Sequence, residues 1–136
     1  MNKIKKIILA EDDEFDADMT ISALNSIPIA NEIIWVETGK ALLDYLDQHG
    51  TQDIAVLILD LHMPMVTGIE ALEVIKSGKY ESFPIVVLSS SREHPDVKRC
   101  YELGVNSFIT KPVKTTEFQE AIRTLGLYWG LMNELP

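Results

Sequence analysis

The chain has 136 residues, with 12 basic and 21 acidic side chains and a formal net charge of −9; that length fits one domain built around one core. An apolar fraction of 46% and a charged fraction of 24% are ordinary for a folded protein and exclude wholesale disorder. The acidic excess argues against nucleic acid as a partner, since duplex binding asks for clustered Lys and Arg.

In chain order, the basic start Met1-Asn2-Lys3-Ile4-Lys5-Lys6 leads into only four apolar residues, 7–10, before three acids. That is too short an apolar stretch for a signal peptide, so a cytoplasmic protein is expected. Residues 7–10 instead read as a first buried strand. Ala17, Ile21, Leu24 and Ile27 then recur at helical spacing until Pro28 stops the pattern. A second strand is expected over 33–36, and Ala41, Leu42, Tyr45 and Leu46 form a second helical face before Gly50. Residues 54–59, the longest unbroken apolar run, fall far short of the ~20 residues of a membrane span and read as a third strand. Ile69, Leu72 and Ile75 continue to Gly78, and a fourth strand follows at 85–88. The fourth helical face carries Val97, Cys100, Tyr101 and Leu103 up to Gly104. Cys100 is the single cysteine, which excludes an internal disulfide and a multi-cysteine zinc site and fits a reducing compartment. A weaker strand at 107–109 and a helix with Phe118, Ala121, Ile122 and Leu125 complete five strand–helix alternations. Such alternation implies an α/β fold, a doubly wound parallel sheet with helices on both faces.

Open parallel sheets bind ligands beyond the carboxyl ends of their strands. The first strand is followed there by Glu11, Asp12 and Asp13, the third by Asp60, the fourth by Ser89 and Ser90, and the fifth by Thr110 and Lys111. Taken singly, Asp12, Asp13 and Asp60 could cap helices or turns, and Ser89 to Ser91 could cap the fourth helix. Together with Lys111 at the same edge, crowded carboxylates call for a compensating cation, and all-oxygen donors suit Mg²⁺ better than Zn²⁺. Lys111 can pair with a carboxylate or hold a phosphate, and Ser89 offers a hydroxyl donor. His49 and His94 sit beside turn residues and are expected to be solvated.

Four blocks carry a family resemblance: Ile8-Leu9-Ala10-Glu11-Asp12-Asp13; Leu59-Asp60-Leu61-His62-Met63-Pro64 with Gly68; Val87-Leu88-Ser89; and Thr110-Lys111-Pro112. In that order and spacing, over about residues 4 to 127, they resemble the receiver domain of bacterial two-component response regulators. The resemblance implies a five-stranded flavodoxin-like (CheY-like) fold with strand order 2-1-3-4-5. It implies Asp60 as phosphoacceptor, supplied by a phosphohistidine on a sensor histidine kinase. It implies Mg²⁺ bound by Glu11, Asp12, Asp60 and the backbone carbonyl of His62. Ser89 and Lys111 would bond the new phosphoryl group, Phe108 would be the switching aromatic, and the Lys111–Pro112 bond would be cis. His62 itself stands where relatives often carry Asn; its side chain either touches the phosphoryl group or faces solvent. The implied activity is self-catalysed phosphoryl transfer and dephosphorylation only, with no enzymatic turnover of other substrates.

The whole chain is expected to be a single receiver domain, with 127–136 an apolar C-terminal extension and no output domain. The signal would then leave through a protein surface to a downstream protein target. Tyr128, Trp129, Leu131 and Met132 are residue types found at interfaces, so a homodimer through the last helix is expected; the alternative is that Trp129 folds back on its own domain. Gly126 and Gly130 disfavour a straight helical continuation. The tail, with Asp13-Glu14-Phe15-Asp16 entering the first helix, is similar to stand-alone regulators of the cyanobacterial phytochrome type, which implies a phytochrome-linked kinase. Two other classes stay open at this point. One is a Mg²⁺-dependent phosphatase with an Asp nucleophile, which usually has a second Asp where this chain has His62. The other is a receiver-like interaction module that accepts no phosphate.

Overall fold

Short runs of Ile, Val and Leu form the strands, and the amphipathic stretches between them form the helices. The computed structural model describes residues 4–90, 94–111 and 115–132. The elements are β1 (Lys6–Ala10), α1 (Glu14–Asn25), β2 (Ile33–Val36), α2 (Gly39–His49), β3 (Ile54–Leu59), α3 (Gly68–Val74), β4 (Ile85–Ser89), α4 (His94–Glu102), β5 (Ser107–Thr110) and α5 (Thr115–Gly126). The strands pair in parallel in the order β2-β1-β3-β4-β5. This is the expected doubly wound sheet, and each strand lies within one residue of its expected ends.

Successive side chains of a strand point to opposite faces, and the core divides accordingly. On one face Ile7, Leu9, Val56, Ile58, Val86 and Leu88 meet Ala17 and Leu24 of α1 and Phe118 and Ile122 of α5. On the other, Ile8, Ala10, Leu57, Leu59, Ile85 and Val87 meet Leu42 and Leu46 of α2, Leu72 of α3 and Cys100 of α4. Central β3 is covered on both faces and buried at every residue, whereas the edge strands β2 and β5 are half-buried throughout. Each fully buried Leu or Ile contributes about 1.5–3 kcal/mol. Cys100 belongs to this core; burial, with the nearby Asp96 charge, pushes its thiol up to about 11, which leaves it unreactive.

Side-chain caps place the helix starts at the carboxyl edge of the sheet. Thr38 caps α2 by accepting the Ala41 N–H at 2.9 Å, and Thr67 with Glu70 closes a capping box on α3. The β3–α3 connection is tight: a Cβ on Gly68 would stand 2.5 Å from the Asp60 carbonyl oxygen and 2.6 Å from Leu61 Cα. In the same connection Met65 is a non-glycine residue with φ of +70°.

Two helices end differently from the sequence pattern. A π-helical turn, Ile75–Lys79, follows α3, and another, Leu127–Met132, follows α5. The chain thus does continue past Gly126, but with a widened turn. Gly126 is buried where α5 crosses α1, and a Cβ there would approach Leu24 Cδ2 and Ile27 Cδ1 to 2.7 Å. Trp129 is half-buried against the α1–α5 core, and the exposed Tyr128 meets its ring edge-on, centroids 4.9 Å apart. The side chains of Leu131, Met132 and His94, and the Lys111–Pro112 peptide bond, lie outside the described residues. His49 is exposed and lies against Tyr45. Among the described residues no helix is long and apolar enough to cross a membrane.

Candidate functional site

Backbone hydrogen bonds carry the strand pairing one residue past the strands and fix the polar residues that follow. The Glu11 N–H donates to Val36 O at 3.0 Å, and the Asp60 N–H donates to Ala10 O at 3.0 Å. The Trp35 indole N–H donates to the Glu11 carbonyl at 2.8 Å. At the far side of the cleft, the Lys111 N–H donates to Ser89 O at 2.8 Å. Adjacent β1 and β3 therefore deliver Glu11 and Asp60 side by side, while β4 and β5 deliver Ser89 and Lys111.

The carboxylate oxygens of Glu11, Asp12 and Asp60 can all lie within 4.8 Å of one another. Glu11 is 2% exposed and Asp60 7%, whereas Asp12 is open to solvent. Asp60 Oδ1 accepts the His62 N–H at 3.1 Å, and the His62 side chain is exposed. Lys111 Nζ lies 2.7 Å from Glu11 Oε1, 2.7 Å from Asp16 Oδ2 and 3.5 Å from Asp60 Oδ2. Ser89, the last residue of β4, is fully buried. Phe108 on β5 is half-buried against the α2–α4 side of the core, and its N–H donates to Tyr101 Oη at 3.1 Å.

Asp13 takes the simpler of its two sequence readings. It is the N-cap of α1, its Oδ1 accepting the Asp16 N–H at 2.8 Å. Asp16, in contrast, was not singled out by the sequence pattern, yet it makes one of the two shortest contacts to Lys111. Its signal was available: a cap at Asp13 places Asp16 in the first helical turn, at the same sheet edge as the acids.

The electrostatics follow from crowding. Burial, then the hydrogen bond with Asp60 and its charge, push Glu11 up to about 8 against the pull of Lys111. For Lys111, burial alone would lower the value, but its hydrogen bonds to Asp16 and Glu11 and the charge of Asp60 raise it above the ordinary lysine range. Asp16 supplies a negative partner independent of Glu11, so the ammonium stays charged while Glu11 bears the crowding. Three hard oxygen donors, two of them buried, with more negative charge than one ammonium offsets, form a donor set that fits Mg²⁺ or a similar divalent ion.

The chain belongs to the response regulator receiver domain family, which residues 7–123 match. Receiver domains bind Mg²⁺ or Mn²⁺ in an acidic pocket, are typically phosphorylated, and act in signalling rather than as enzymes of the usual kind. The probable methanogenesis regulatory protein FilR2 of Methanothrix harundinacea is 34% identical over 134 residues, covering 96% of this chain and 86% of its own. Response regulator Rcp1 of Synechocystis is 30% identical over 140 residues, covering 99% and 95%. The Mn²⁺-bound structure of Rcp1 superimposes with a TM-score of 0.89 over 97% of this chain and 99% of that one. The phosphorylated cyanobacterial phytochrome response regulator RcpA gives 0.90 at 31% identity, over 98% and 99%.

Proposed function

We propose that this chain is a phosphorylation-driven signalling domain that takes a phosphoryl group from a sensor histidine kinase onto Asp60. The observation that carries the reading is the convergence at one sheet edge of Glu11, Asp12 and Asp60, within 4.8 Å of one another, with Lys111 3.5 Å from Asp60. Glu11, Asp12, Asp60 and the backbone carbonyl of His62 would hold Mg²⁺. Bound there, the ion supplies positive charge to phosphoryl oxygens during transfer.

The chain's own residues do the rest. An Asp60 carboxylate oxygen attacks phosphorus in line; the P–N bond of the donor phosphohistidine breaks, and its electron pair returns to the imidazole nitrogen. Lys111 stabilises the added charge, and Ser89 bonds a phosphoryl oxygen through its hydroxyl. Hydrolysis of the acyl phosphate at the same site restores Asp60. The phosphoryl group adds about −1.5 to −2 charge. Movement of Ser89 toward it makes room for Phe108, and the α4–β5–α5 surface repacks as the signal.

In this reading residues 1–136 are one receiver domain with 127–136 an apolar extension. The domain works in the cytoplasm, contacts a downstream protein target and self-associates through Tyr128, Trp129, Leu131 and Met132. The likeness to Rcp1 and RcpA supports a phytochrome-type kinase as the phosphodonor. The test is incubation with acetyl phosphate and Mg²⁺, followed by intact mass. A gain of one phosphoryl group, absent in Asp60→Asn, is expected. No adduct would leave an interaction module, and turnover of phosphate esters would indicate a phosphatase.

A further inference from the structure

Two claims compete for Glu11. Its Oε1 bonds Lys111 at 2.7 Å, and the same carboxylate belongs to the group able to hold a metal ion. Its other oxygen already accepts the Asp13 N–H at 3.3 Å. When Glu11 turns its charge to a cation, Lys111 loses part of one of its two short bonds. Asp16 lies outside the metal-binding group and keeps its 2.7 Å contact. An ammonium has three N–H donors in a fixed tetrahedral spread. With two of them engaged by Glu11 and Asp16, the third faces Asp60 Oδ2, 3.5 Å away.

Asp16 is itself held in place. Its backbone N–H is tied to the Asp13 cap at 2.8 Å, and its carbonyl accepts the Thr20 hydroxyl at 2.8 Å. Its side chain is 30% exposed while that of Lys111 is 11% exposed, so the pair is only partly screened by water.

We propose that Asp16 is a positioning residue for phosphoryl transfer, anchoring Lys111 so that its remaining N–H points at Asp60 when Glu11 is drawn to the metal. The inference rests on the phosphoacceptor reading of Asp60 and adds to it a residue from α1.

The test pairs a metal-free measurement with a functional one. In ¹⁵N-labelled protein without metal, the Lys111 ammonium should give a resonance distinct from solvated lysines, assigned by its loss in Lys111→Arg. In Asp16→Asn that resonance should shift and broaden; an unchanged position and linewidth would overturn the proposal. With acetyl phosphate at saturating Mg²⁺, the maximal phosphorylation rate of Asp16→Asn should fall about three- to tenfold, the scale of one ordinary, partly solvent-screened hydrogen bond. Half-saturation by Mg²⁺ should stay within about twofold of the parent, since Asp16 binds no metal. Asp16→Glu, which keeps the charge, should recover most of the rate. An unchanged or higher maximal rate in Asp16→Asn, in a variant whose melting curve shows it folded, counts against the anchor. Failure of the parent protein itself to take up a phosphoryl group would fall on the Asp60 reading, and the ammonium resonance would still decide whether Asp16 holds Lys111.

Discussion

Glu11 answers to several neighbours at once: Lys111 through one side-chain oxygen, the Asp13 N–H through the other, Asp60 beside it in the cleft, and the Trp35 indole through its carbonyl. Its raised value, about 8, has a consequence for stability. A carboxyl group held above its unfolded value binds more protons folded than unfolded, so its contribution is fully present below the ordinary carboxylate range and is lost as pH rises through about 8. The raised Lys111 contributes in the same sense but only at its own, far higher range, outside this window. Melting temperature in EDTA is therefore expected to decline between about pH 4.5 and 8, and Mg²⁺ should flatten that decline by offsetting the crowded charge. A metal-free profile that rises across the window would contradict the crowding. Asp12 gives an independent check, because it adds charge to the cleft from an exposed position. Asp12→Asn should raise the metal-free melting temperature by about 2–4 °C while weakening Mg²⁺ binding. A variant that melts lower without metal would count against the cluster.

At the scale of elements, the cleft is as precise as the connections that follow β1 and β3. Gly68 opens α3 directly against the Asp60 carbonyl and Leu61 Cα, so a methyl group there meets backbone that cannot turn aside. Gly68→Ala should cost about 1–3 kcal/mol and, by displacing Asp60, weaken Mg²⁺ binding as well. Gly126→Ala meets only the ends of the Leu24 and Ile27 side chains; gained helix propensity of about 1 kcal/mol offsets much of that contact. Chemical denaturation of the two variants would compare them, and equal losses would mean that the β3–α3 connection is slack. The elements themselves were legible because β3 is uninterrupted apolar sequence and the helices carry clear apolar faces bounded by Pro28, Gly50, Gly78 and Gly104. The π-helical turn after α5 was not legible. It begins directly after Gly126, which sits buried against Leu24 and Ile27, a meeting of segments about a hundred residues apart that no local pattern records.

Across the whole molecule, the same limit separates the readable part of the site from the hidden part. Residues that follow strands were readable, since parallel α/β sheets collect them at one edge. The Asp16–Lys111 contact spans 95 positions and joins a helix to a strand end, so only three-dimensional packing reveals it. The opposite side of the fold bears on self-association. A groove of about 730 Å³ between β5 and α5 is lined by Ser107, Ile109, Ala121, Leu125, Tyr128 and Trp129. Trp129 packs partly into its own core, so Trp129→Ala should lower stability whether or not the chain pairs with itself. Tyr128 is 53% exposed and is the cleaner probe. Sedimentation at micromolar concentration should show a dimer that Tyr128→Ala weakens by about tenfold, the scale of one interface anchor residue. A dimer indifferent to both substitutions would place the contact elsewhere.

The bond from the Trp35 indole to the Glu11 carbonyl also equips the molecule with an optical reporter. The two tryptophans lie in separate parts of the fold, one on edge strand β2 touching the cleft and the other beyond α5. Emission from Trp35 should therefore follow events at the acids, while Trp129 follows events at the far helix. With Trp129→Phe and Trp35→Phe variants, the two signals can be recorded separately in one titration. The order in which they change would time the passage of a signal from cleft to surface without any added label.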